Sequence, residues 1–271
     1  MVNHSIEFAR QIRALTLKLV YNAKASHIGG ALSMADILAV LYDGILNVDP
    51  GAPEYVERDR FLLSKGHACS SLYATLGLKG FFDLNELDGY ATNGSLFLSH
   101  TSHKIPGIEV SAGSLGHALP IACGIALAAK RKKEQWKTFC LVSDGELNEG
   151  SNWESILLAP QLKLDNLILI IDYNKIQSFG LVKDIIDLEP LKAKFEACRW
   201  NCFEIDGHNH TELHDTFIKC KKSANSTPKA IIAHTTKGKG ISFMEDSLLW
   251  HYKSPSEEQY HMALQELNHY K

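Results

Sequence analysis

No stretch of the chain approaches the roughly 18 consecutive apolar residues that a membrane-spanning helix needs, and the N-terminus lacks the hydrophobic segment of a secretion signal. A soluble, cytoplasmic protein is expected. Six cysteines in 271 residues do not make a disulfide framework. Cys69, Cys123 and Cys140 fall in apolar or small-residue segments, where a reduced thiol serves as a small hydrophobe. Cys198 and Cys202 form a CxxxC without a second pair or a histidine at zinc-finger distance, which argues against a zinc site. Excess charge of one sign is also missing. The net charge of −3 and pI near 6.5 give no global electrostatic case for nucleic acid or an anionic membrane. The basic run at 130–133 follows the apolar helical pattern PIACGIALAA and reads as a helix C-terminus complementing the dipole. Repeats, low-complexity tracts and a clear linker are absent, and no GxGxxG follows the first strand, which weighs against a nucleotide-binding Rossmann fold.

The length can bury a large core and fits one α/β domain over residues 1–271, with 256–271 as a C-terminal amphipathic helix packed on the domain or on a partner. The most informative stretch is 143–177, SDGELNEGSNWESILLAPQLKLDNLILIIDYNKIQ. Residues 138–142 read as a buried strand, 149–159 as a crossover helix and 166–172 as the next strand, a βαβ order that demands a parallel sheet. Asp144 and Asn174 then stand at the carboxyl ends of adjacent strands, where ligands of open α/β sheets bind. Magnesium takes about six oxygen ligands at roughly 2.0–2.1 Å, few of them from protein, so a carboxylate, an amide oxygen and a carbonyl suffice beside a diphosphate. Asp-Gly is also a common turn pair, and the dipeptide by itself reads as a strand-end turn; the whole segment reverses that reading.

The Asp-Gly pair with Asn174 in YNKIQ resembles the thiamin diphosphate motif of transketolases. Further segments match that family in order from about residue 7 to about residue 255: ASHIGGALSMADILAVLY (25–42), RDRFLLSKGHACSSLYA (58–74), 100–133, 188–210 and 231–255. The resemblance implies a three-layer α/β/α fold with a mostly parallel central sheet. It also implies that Asp144, Asn174 and the Ile176 carbonyl hold Mg2+, or Ca2+ or Mn2+ in its place, and that the Gly145 amide meets the diphosphate. Gly113, Ser114 and Leu115 would line the cofactor rings. Read without the family, GSLGHA is a helix N-terminus with a serine cap.

Several of the thirteen histidines lie in turns beside glycine, where backbone can approach a ligand. By resemblance His27, His67, His100 and His251 converge on the diphosphate, the thiazolium and the sugar oxygens, with His67 and His251 also touching cofactor. Such groups donate hydrogen bonds to alkoxides formed in carbon–carbon cleavage. His103, three residues beyond His100, is the competing candidate for that place. Glu149 and Glu154 flank the start of the crossover helix, where carboxylates favour the positive dipole end. In the family the position of Glu149 joins an acidic network between subunits.

The family's catalytic glutamate lies in a following pyrimidine-binding domain, which this chain does not reach. The expected protein is therefore the N-terminal subunit of a split transketolase, inactive alone. It would join a separate C-terminal subunit in a two-plus-two heterotetramer and transfer a two-carbon ketol unit from a ketose phosphate to an aldose phosphate. Other thiamin enzymes, such as a deoxyxylulose phosphate synthase half or a 2-oxo acid dehydrogenase subunit, fit SKGH and DGELNEG less well, and a non-catalytic cofactor-binding scaffold is the alternative of another class. Ser143, His117 and Tyr252 depart from the usual family residues and suggest a specialised sugar substrate.

Overall fold

Strands β1 (Arg60–Leu63), β2 (Thr138–Ser143), β3 (Leu167–Tyr173), β4 (Asn201–Asp206) and β5 (Lys229–His234) form a parallel sheet in the order β1-β2-β3-β5-β4. The structure is a computed structural model and describes residues 2–223 and 225–269. Ten α-helices are described, besides short 3-10 and π turns: α1 (Val2–Ala23), α2 (Ile28–Ser33), α3 (Ala35–Val40), α4 (Cys69–Lys79), α5 (Ala118–Lys132), α6 (Gly150–Gln161), α7 (Val182–Ile185), α8 (Leu191–Ala197), α9 (His210–Lys222) and α10 (Glu257–His269).

The central strands are apolar on both faces because both are covered, as parallel sheets require. Alternate residues serve opposite layers. Phe139, Leu141, Ile168, Ile170 and Ile231 pack with residues of α1, α3, α4 and α9, whereas Cys140, Val142, Leu169, Ile171 and Ile232 pack with α5, α6 and α8. The result is the three-layer α/β/α arrangement with a parallel sheet.

The βαβ unit read from the sequence is present, with small shifts at its ends. The helix starts one residue late, at Gly150, because Glu149 is extended and forms its N-cap, and it continues through Pro160. Strand β3 begins at Leu167 and runs to Tyr173. Lys130, Arg131 and Lys132 occupy the last turn of α5, as expected for a basic helix end. Ala263 and Leu267 of α10 are buried with Leu17 and Val20 of α1, so the C-terminal helix packs on this chain; residues 270–271 of that segment lie outside the described residues. Among the described residues no helix is long and apolar enough to cross a membrane, and the six cysteines are free thiols.

Ser143 pairs with Asp172 across β2 and β3, and Tyr173 pairs with His234 across β3 and β5. Since the strands are parallel, the turns after Leu63, Ser143, Tyr173 and His234 leave from one side of the sheet. That side carries the site.

Candidate functional site

Beyond those strand ends lies a cleft of about 260 Å³. Asp144, Gly145, Asn174 and Ile176 line one part of it, Gly113 and Leu115 another, and His27, His67, His100 and His251 a third. Ser114, in the same loop as Gly113, is exposed and does not line the cleft, and neither does Glu149.

Asp144 is 1 % exposed. Its carboxylate accepts from the Gly145 amide at 2.7 Å and the Lys175 amide at 2.5 Å. Burial, and next the charge of Asp172, push the Asp144 carboxyl up to about 6. A carboxylate whose charge is penalised in this way is suited to a cation brought by a ligand. Asn174 is buried and its Oδ1 accepts from the Ile176 amide at 3.1 Å, while the Ile176 carbonyl accepts from the Lys237 ammonium at 3.0 Å. Among the described residues no three His, Cys, Asp or Glu side chains are grouped to hold a metal. The donor set is one carboxylate, one amide and one carbonyl, all oxygen, which fits a hard divalent ion that completes its shell with phosphate and water.

The four histidines meet. His27 lies 5.0 Å from His67, 5.1 Å from His251 and 6.5 Å from His100 between ring centroids. His27 caps α2 from the left-handed region (φ 69°), a conformation costing about 1–2 kcal/mol outside glycine, and its amide is held by the His251 carbonyl at 2.9 Å. Burial, then the His100 and Lys237 charges, bring His27 down to about 4; burial, then Lys237, bring His251 to about 3. His67 and His100 are lowered as well, chiefly by burial. The cluster is therefore a set of neutral imidazoles near neutral pH. An ammonium can only donate, so the Lys237 contact at 3.0 Å makes His251 Nδ1 an acceptor and puts its hydrogen on Nε2. His103 stands apart: it is exposed and contacts Ser111 Oγ at 2.9 Å, so His100 is the cleft histidine. His117 is also exposed, and Tyr252 lines the cleft with its ring 4.7 Å from that of His251.

Four further residues were not singled out from sequence. Lys65 and Asp172 form an ion pair with both side chains at most 1 % exposed, and Asp172 also accepts from Ser33 and Thr235. Burial opposes the Asp172 charge, but Lys65 and these hydroxyls outweigh it and hold the carboxyl below its usual range. Glu146, fully buried, accepts from Ser64, from the Gly116 amide at 2.8 Å and from the Ser143 amide at 3.2 Å. It thus ties together the turns after β1 and β2 and the loop before α5. Gly116 has φ +83°, and an added Cβ would lie 2.6 Å from Ser151 Oγ, so that loop needs glycine there. Lys237, 1 % exposed, is lowered to about 8, mainly by burial. The available signal was position: Lys65 within SKGH, Asp172 two residues before Asn174, and Lys237 within TTKGKG.

Residues 5–263 match the family profile described as transketolase, thiamine diphosphate binding domain. An apulose-4-phosphate transketolase subunit from Phocaeicola vulgatus is 41 % identical over 256 residues, covering 94 % of this chain and 91 % of that protein. The 6-deoxy-6-sulfo-D-fructose transketolase subunit SqwG of Clostridium sp. strain MSTE9 is 39 % identical over 260 residues, covering 96 % and 94 %. The crystal structure of transketolase from Campylobacter jejuni superposes with a TM-score of 0.90 at 34 % identity, covering 98 % of this chain and 42 % of that one. The chain therefore spans nearly all of the two subunits but less than half of the longer enzyme.

Proposed function

Because the chain belongs to the transketolase family, we propose that it is the thiamine diphosphate-binding subunit of a transketolase-type transferase, completed by a separate subunit that carries the pyrimidine-binding domain. The observation that carries this reading is the joining of an oxygen donor set, Asp144, Asn174 and the Ile176 carbonyl, to a cluster of neutral histidines in one cleft. The first would hold Mg2+, or Ca2+ or Mn2+, and through it a diphosphate. Bound thiamine diphosphate supplies the carbanion nucleophile that carbon–carbon cleavage needs.

The chain's own side chains bind and orient. Gly145 and Lys237 line the cleft and would meet the diphosphate, while Gly113 and Leu115, on the same cleft, would lie beside the rings. His251, with its hydrogen on Nε2, would donate to developing negative charge. His27, His67 and His100 serve as further neutral donors to alkoxide oxygens, a kind of stabilisation worth orders of magnitude in rate. Glu149, outside the cleft, joins the contact between subunits in a two-plus-two assembly.

The reaction is reversible transfer of a two-carbon ketol unit from a ketose phosphate to an aldose phosphate. The two subunit relatives are named for apulose 4-phosphate and for a sulfonated fructose, which supports a specialised ketose as donor. A cytoplasmic setting would keep the six cysteines as the free thiols they are here. The test is reconstitution. The chain mixed with its partner should bind thiamine diphosphate with Mg2+ and transfer ketol units, and neither component should do so alone. Turnover of a ketose phosphate by the purified chain unaided would refute the split arrangement.

A further inference from the structure

Lys237 is brought into the cleft by the segment 235–239, which leaves β5 without entering a helix or strand of its own. Its course is fixed by contacts from elsewhere in the chain. Thr235 Oγ1 donates to Asp172, the Gly238 amide donates to the Gly29 carbonyl at 2.9 Å, and the Lys239 carbonyl accepts from Arg13 Nε at 3.0 Å. The Thr236 amide donates to His208 Nε2 at 2.8 Å. A backbone N–H can only donate, so Nε2 of His208 carries no hydrogen, and the hydrogen of the neutral ring is on Nδ1, which lies 2.6 Å from Asp36 Oδ2.

Asp36 is the common anchor. It is 4 % exposed and takes Arg13 through both terminal nitrogens, at 2.9 and 2.5 Å, together with His208 and, at 3.0 Å, His210 Nε2. Burial opposes its charge, yet the Arg13 charge and these hydrogen bonds hold the carboxyl well below its usual range. Arg13 and His208 thus each grip Asp36 with one side and the 235–239 segment with the other. Gly207 lets the loop bearing His208 close onto β5: its amide donates to the His234 carbonyl at 2.8 Å, and an added Cβ would lie 2.5 Å from Thr235 Cγ2.

We propose that Arg13, Asp36 and His208 form a clamp that positions Lys237 for binding of the cofactor's diphosphate, with His208 the member that acts on the backbone next to the lysine. None of the three lines the cleft. They are positioning residues, and their role rests on the transketolase reading of the cleft.

Glutamine at 208 can donate its amide to Asp36 and accept from Thr236 through its carbonyl, whereas alanine can do neither. In the complex with the partner subunit, calorimetry with thiamine diphosphate and Mg2+ should show H208A weakened about tenfold, the scale of one lost hydrogen bond between well-placed groups, and H208Q close to the unaltered protein. In a K237M background the H208A substitution should cause no further loss, because its effect runs through the lysine. H208A affinity equal to the unaltered protein, or a loss of the same size with and without Lys237, would overturn the clamp. Crystal structures of the H208A and H208Q chains give a readout that needs no ligand. Lys237 Nζ should leave the Ile176 carbonyl in H208A and keep it in H208Q, and an unmoved Nζ in H208A would overturn the proposal. Failure of the unaltered complex to bind thiamine diphosphate would instead refute the functional reading, with the crystallographic comparison still deciding the clamp.

Discussion

Lys237 Nζ lies 3.0 Å from the Ile176 carbonyl oxygen, so a buried ammonium already rests on one of the three groups assigned to the cation. The protein thus supplies positive charge to the cleft itself, beside the place proposed for the cation.

Burial lowers Lys237 to about 8, which gives its charge a titration within reach of experiment. The ammonium favours a bound diphosphate and the neutral amine does not, so diphosphate affinity should fall as pH rises through about 8. Stability of the unliganded chain should respond the other way. The lysine titrates at a lower pH in the fold than when unfolded, so its contribution to stability rises from about pH 8 towards the ordinary lysine range. Calorimetry from pH 7 to 9.5, set against K237R, separates the two trends; an affinity that stays flat across that range would remove Lys237 from the diphosphate site.

Asp144 sits at the opposite limit. Its carboxyl is raised to about 6 from 3.8, so the folded chain holds this proton more tightly than the unfolded chain. From this group alone, stability without a cation falls as pH rises from about 4 to about 6. Binding a divalent ion requires the carboxylate, so the apparent affinity for Mg2+ with thiamine diphosphate should drop about tenfold per pH unit well below pH 6. Asp144→Asn should lose most of the affinity together with that slope. Undiminished affinity in Asp144→Ala would refute the ligand assignment.

The Lys65–Asp172 pair makes a sharper claim about stability. With both side chains buried, removing one partner strands the other charge, at a cost of about 3–5 kcal/mol, whereas removing both leaves no orphan. Lys65→Met should therefore lower the melting temperature on the order of ten degrees, and Lys65→Met with Asp172→Leu should lower it less. A loss in the double variant equal to the sum of the losses in Lys65→Met and Asp172→Leu alone would mean that the pair is not electrostatically coupled.

The βαβ unit at the centre of the sheet, and the placement of Asp144 and Asn174 at its strand ends, were legible because their signals are local. A buried apolar strand ending in Asp-Gly, a helical period and a second apolar strand ending in Asn fix β2, α6 and β3, and with them Asp144 and Asn174. His67 and His27 were legible because each sits beside glycine in a turn. Pairings at long range were not. Lys65 meets Asp172 across 107 residues, Ser64 meets Glu146 across 82 and His208 meets Asp36 across 172, and no period or turn rule encodes which buried charge faces which. The choice of His100 over His103 depends likewise on how the 100–113 loop folds back, with Thr101 bridging to Ala112.

Glu149 offers a test of assembly that leaves the cleft untouched. It is exposed, it caps α6 without a side-chain cap bond, and it does not line the cleft. For the isolated chain its carboxylate contributes only through the helix dipole, so Glu149→Gln should change stability by no more than about 0.5 kcal/mol. If it joins an acidic network between subunits, the same substitution should shift the association of the complex while each chain alone melts as before. Sedimentation of the mixed subunits across a concentration series reads this directly. Association identical to that of the unaltered protein would confine Glu149 to the helix end.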